Sequence, residues 1–200
     1  MGVRALLWVV VIAFASPCVA GDVVLQTVPW PAARECTNCI PLQFGRLEMQ
    51  LPRSEVSRIL VIGRGDAVVS LVPSEGGIAR SSSLHLVEQR TVLGRYAKTD
   101  LLQRYGVSTA RDLYDLLGRP AAGDRMLKIA KDAELLESAV AYTLASKGAL
   151  HAYRIECTEP ELNRTYFVID GDEGLYMLAG PVTQELHTAI LSGLRVVEAP

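Results

Sequence analysis

In the stretch RLEMQLP (46–52), Leu47, Met49 and Leu51 alternate with Arg46, Glu48 and Gln50. A period of two predicts a strand with one face on a core and one in water. Two runs rich in β-branched residues, 56–62 and 67–72, flank Gly63-Arg64-Gly65-Asp66 and predict a hairpin around that loop. A fourth strand is predicted over 83–89, after a turn at 73–77. The period then lengthens. Asp100 with Gln103, and Thr109 with Asp112, have capping-box spacing, in which side chains satisfy the free N–H groups of a helix start. They predict helices over 100–106 and 109–118. Met126, Ile129, Ala130, Ala133, Leu136, Val140 and Leu144 recur three or four apart, predicting one long helix over 124–147, ended by Gly148. Strands are predicted at 150–157, 164–170 and 175–179. Pro181 is placed to open a last helix with Val182, Leu186, Ala189 and Ile190 on one side.

Strands grouped in runs predict an α+β fold, namely an antiparallel sheet of about seven strands with a helical insert and a C-terminal helix. The stretches FGRLEMQLP and HTAILSGLRV resemble the first strand and last helix of the Mog1/PsbP-like fold, and the element order is similar. The resemblance implies a binding or accessory protein. It brings no functional residue with it.

The N-terminus follows a different pattern. Arg4, the apolar run ALLWVVVIAFA, then Ser16-Pro17-Cys18-Val19-Ala20 read as a signal peptide over 1–20, cleaved after Ala20. The run is short for a bilayer span, which needs about 20 residues. Lipid attachment at Cys18 is the alternative, but Pro17 sits where a lipobox wants a small residue. The expectation is a periplasmic or secreted protein with no stable membrane span after cleavage. Residues 21–41 hold prolines and two cysteines without periodicity and read as an irregular arm, with a single domain over 42–200.

Composition narrows the function classes. The chain has 200 residues and a net charge of −2, with no concentrated basic surface, so no nucleic-acid partner is expected. No G-x-S-x-G, S-x-x-K, H-E-x-x-H or P-loop pattern occurs, so the enzyme reading ranks below the binding one and no cofactor is expected. A spatially dispersed Ser/His/Asp set stays open, because such triads are not sequential. Thr109-to-Leu117 with the preceding segment has a helix-turn-helix rhythm. Asp112 and Asp115 would face phosphates there, so an αα-hairpin packed on the sheet is the expected reading.

Cys36 and Cys39 form a C-x-x-C pair. A redox pair needs a following helix to stabilise its thiolate, and Ile40-Pro41-Leu42 leads instead into a strand pattern. A structural disulfide is expected, either Cys36 with Cys39 or one of them with Cys157. By chain entropy the local ring contributes about 2 kcal/mol and the long bridge about 5. A metal set including His151 and Cys157 is disfavoured, since these lie about 20 Å apart along an extended strand, so no metal is expected. Loops 63–66, 158–161 and 171–174, with Arg64, Asp66, Asp172 and Glu173, are the candidate contact surfaces. The expected function is non-enzymatic binding of another protein. The alternatives are a thiol–disulfide protein using Cys36 and Cys39, or a carrier of a small apolar ligand between sheet and long helix.

Overall fold

The structure is a computed structural model, and it describes residues 22–63 and 68–198. The leader, Cys18 and the loop residues Arg64 and Asp66 lie outside the described residues. The fold is α+β. Eight strands form the main sheet: β1 (Gln26–Thr27), β4 (Val56–Ile62), β5 (Val68–Pro73), β6 (Ser82–Glu88), β7 (Ala139–Lys147), β8 (Leu150–Cys157), β9 (Arg164–Ile169) and β10 (Gly174–Ala179). Their spatial order is β1-β7-β8-β9-β10-β6-β5-β4. β2 (Cys39–Phe44), β3 (Leu47–Pro52) and β11 (Arg195–Val196) form a separate three-stranded sheet.

The main sheet is mixed, which corrects the expectation of a purely antiparallel one. β1 runs parallel to β7, pairing Gln26 with Thr143, while the remaining neighbours are antiparallel. Two residues are too few to show a period, so β1 left no pattern in the sequence.

The long helix expected over 124–147 is two elements. α4 (Arg125–Ala133) starts at Asp124, whose carboxylate accepts from the Met126 and Leu127 N–H groups at 3.0 Å. It stops where Leu135 turns left-handed at φ 65°, and the Leu136 N–H donates back to the Lys131 carbonyl at 2.8 Å. From Ala139 the chain is β7. Val140 is exposed and Tyr142 buried although they are two residues apart, because the register shifts between Ala139 and Ala141, and this break together with the small alanines concealed the strand period. The other helices are α1 (Gln89–Gly94), α2 (Leu101–Tyr105), α3 (Ala110–Leu117) and α5 (Gln184–Gly193). Thr109 makes the expected capping box with Asp112, whereas Asp100 makes no side-chain cap. α5 starts after Thr183, which caps Leu186, so Pro181 lies outside it.

Cores lie on both faces of the main sheet. Tyr153, Ile155, Cys157, Tyr166 and Leu175 pack with helices α1, α3 and α4. Ala152, Phe167, Ile169 and Leu178 pack with α5 and the small sheet. β8 is buried on both sides, its odd positions facing the helical layer and its even positions facing α5.

Candidate functional site

The even face of β8 reads Leu150, Ala152, Arg154, Glu156. Ala152 and its cross-strand partner Ala145 are small, so the space between sheet and α5 stays open beside them. Into that space points Arg154, only 5% exposed. Its Nη2 donates to the Val182 carbonyl at 3.4 Å. Its Nε lies 3.5 Å from Glu156 Oε2, an ion-pair distance without hydrogen-bond alignment. Nε and Nη1 have no hydrogen-bond partner among the described residues. Burial lowers the guanidinium pKa while Glu156 opposes that shift. The group keeps its charge, as arginines do in proteins.

Arg154 stands where two open clefts meet. One, of about 520 Å³, is bounded by Val28, Pro29 and Pro31 of the N-terminal arm and by His187 and Leu191 of α5. The other, of about 620 Å³, runs past Pro181 and Thr183 to Glu55, Glu75 and Arg80. The arm is a fixed wall. The Val28 N–H donates to the Leu144 carbonyl at 2.8 Å, and the Trp30 indole donates to the Leu191 carbonyl at 3.0 Å. Proline at 29 and 31 leaves that wall stiff and short of N–H donors.

His187 shares the arm-side cleft. It is 6% exposed, and its Nε2 has no partner among the described residues. Burial, followed by the Arg154 charge, pushes its pKa down to about 3, so the ring is neutral at neutral pH. Among the described residues, the charged groups lining this cleft are therefore Arg154 and Glu156.

Most other buried ionic groups are spoken for. Lys131 is 2% exposed and lines a cavity of about 500 Å³, yet its ammonium is bonded to Asp22 and to the Val23 carbonyl. Glu134 is fully buried and accepts from Tyr96 at 2.9 Å, Tyr166 at 2.8 Å and Arg95 at 3.3 Å. The apolar cavity beside Glu134, lined by Met126 and Ile129, holds about 200 Å³. Ligand pockets for drug-sized molecules run from about 300 to 1,000 Å³. A buried cation is costly unless its donors are fully paired. Among the described residues Arg154, paired only in part by Glu156, is the buried cation that keeps two nitrogens without a hydrogen bond.

The sequence-derived candidates fall elsewhere. Cys36 and Cys39 form a disulfide with Cα atoms 5.7 Å apart, an ordinary separation for that bond. Cys39 opens strand β2, so no helix N-terminus follows the pair. Cys157 is buried at the far end of β8 and unpaired among the described residues, and burial raises its thiol pKa. Asp172 is turned inward, bonded by Arg46 at 3.1 Å and accepting from the Gly174 N–H at 2.9 Å, whereas Glu173 is exposed. Among the described residues no group of three or more His, Cys, Asp or Glu could hold a metal, and no helix is long and apolar enough to cross a membrane. Arg154 was missed because one arginine in LHAYRIEC looks like the wet side of a strand. The clue was its neighbour: the even face also carries two small or apolar residues, Leu150 and Ala152.

No family model, curated protein or solved structure matches the chain. Function therefore rests on the cleft itself.

Proposed function

We propose that this is an exported binding protein that holds an extended segment of a partner protein in the double cleft, anchoring one of its carboxylates on Arg154. The observation that carries the reading is the buried guanidinium with two unpartnered nitrogens at the junction of the clefts. Arginine presents paired donors to a carboxylate in a planar fork, and the low-dielectric setting strengthens the bond. Glu156 at 3.5 Å already offsets part of the charge, which favours a singly charged carboxylate over a doubly charged phosphate. Two open clefts that meet at Arg154 suit a chain that runs past the anchor better than a small molecule enclosed on all sides. Export rests on the leader pattern in residues 1–20, and a Cys36–Cys39 disulfide fits an oxidising compartment.

The test is a fluorescence-polarisation screen of short peptides, each made with a free carboxylate and as its neutral amide counterpart. The account expects acid forms to bind and R154M to weaken them at least tenfold, with R154K intermediate, since an ammonium lacks the fork. Equal binding of acid and amide forms, or of wild type and R154M, would overturn it.

A further inference from the structure

The opposite face of β8 holds a second arrangement. Ser146 of β7, His151 of β8 and Asp170 just after β9 form a row across one end of the sheet. Ser146 is the cross-strand partner of His151, and Asp170 follows β9, its N–H bonded to the Ala149 carbonyl at 2.9 Å. Ser146 Oγ lies 2.8 Å from His151 Nδ1, and His151 Nε2 lies 3.1 Å from Asp170 Oδ2. His151 is 4% exposed, while Ser146 is open to solvent at the end of β7. Arg111 of α3 grips Asp170 with Nη1 at 3.0 and 2.9 Å from its two oxygens.

The direction of each hydrogen bond follows from charge. Burial pushes the Asp170 carboxyl up, but hydrogen bonds from His151 and Arg111 outweigh it and hold the pKa below the ordinary carboxylate value. An ionised carboxylate only accepts, so a neutral His151 must carry its proton on Nε2 and donate to Asp170. Nδ1 is then bare and accepts the Ser146 proton. That is the tautomer a serine nucleophile needs, with the two ring nitrogens exchanged relative to a Ser-His-Asp protease.

We propose that Ser146 is a nucleophile activated by His151, with Asp170 and Arg111 as positioning residues, and that it takes acyl groups from activated esters such as aryl esters and thioesters. Ser146 Oγ attacks the carbonyl carbon as its proton passes to His151 Nδ1. The bond from that carbon to the leaving oxygen or sulfur breaks, and the proton departs with the leaving group. Water, deprotonated by the same nitrogen, then cleaves the acyl-serine to a free acid and restores Ser146. The solvent-exposed position of Ser146 confines the reaction to good leaving groups.

The experiment treats the folded chain with a fluorophosphonate probe and with p-nitrophenyl acetate, followed by peptide mass mapping. A single adduct on the Ser146 peptide is expected, absent in S146A, a change at an exposed side chain. H151Q slows labelling roughly a hundredfold. D170N slows it too, and D170E restores part of the rate, with melting curves recorded for each variant. Should H151Q fail to fold, the D170N and D170E pair decides. No adduct at Ser146, or equal labelling in D170N or urea-unfolded protein, would overturn the proposal.

Discussion

The two faces of β8 treat buried polar groups in opposite ways. On the helical face, His151 is bonded at both ring nitrogens, Tyr153 donates to Asp115 at 2.7 Å, and Glu134 nearby accepts from two tyrosines and an arginine. On the α5 face, Arg154 and His187 keep three buried nitrogens without partners among the described residues. A group that orients or moves a proton has to be held on both sides. A group that receives a ligand has to be left with a vacancy. The difference fits the ligand-receiving role proposed for the α5 face, and on the helical face it fits groups held in place by their hydrogen bonds, the Ser146–His151–Asp170 row among them. Tyr114 is the exception on the helical face, its hydroxyl buried without a partner among the described residues, but it is neutral and its ring is stacked on Tyr166 with centroids 4.4 Å apart.

The largest effect should come from breaking the satisfied network. E134A strands the Tyr96 and Tyr166 hydroxyls in the core and leaves Arg95 without its partner. A loss of about 3–5 kcal/mol is expected by urea unfolding. R154M should behave in the opposite sense on the other face. Replacing an incompletely paired buried cation by an apolar side chain of similar length leaves stability unchanged or raises it by about 1–3 kcal/mol. Equal losses in both variants would erase the contrast between the faces.

An intermediate effect sharpens the comparison through pH. His187 is neutral in the fold down to about pH 3, held there by burial and by the Arg154 charge, while an unfolded histidine takes up its proton near 6.5. As pH falls through that window the unfolded chain binds the extra proton, so stability is lost toward acid. It is fully present above the unfolded value. The loss from this residue approaches 1.4 kcal/mol per pH unit, or roughly 3 kcal/mol between pH 6.5 and pH 4. In H187L the stability curve should be flatter between pH 6.5 and 5, above the range where carboxylates titrate, and an unchanged slope would count against the burial described here.

Much of the architecture was legible from local pattern. The alternation in Leu47, Met49 and Leu51 marks β3, and the Thr109–Asp112 box marks the start of α3. What failed did so for physical reasons. The stretch from Ala139 to Ala145 has enough alanine to satisfy either period, and only its packing against β8 makes it a strand. α1 follows β6 without a cap, its start bonded instead to the β9–β10 turn through the Gln89 N–H and the Glu173 carbonyl. Neither candidate site was readable. Ser146, His151 and Asp170 meet only through strand register, and the vacancy at Arg154 depends on how α5 and the arm cross an alanine-floored gap.

The most direct measurement is a titration of arginine side-chain Nε–Hε signals by nuclear magnetic resonance, with acetate as the simplest carboxylate. The account predicts a saturable shift of the Arg154 signal, with the half-buried Arg164, bonded to Tyr166 at 3.4 Å, unmoved. An Arg154 signal that stays in place through the millimolar range, or that moves in step with surface arginines, would contradict the claim that this guanidinium is kept open for a ligand.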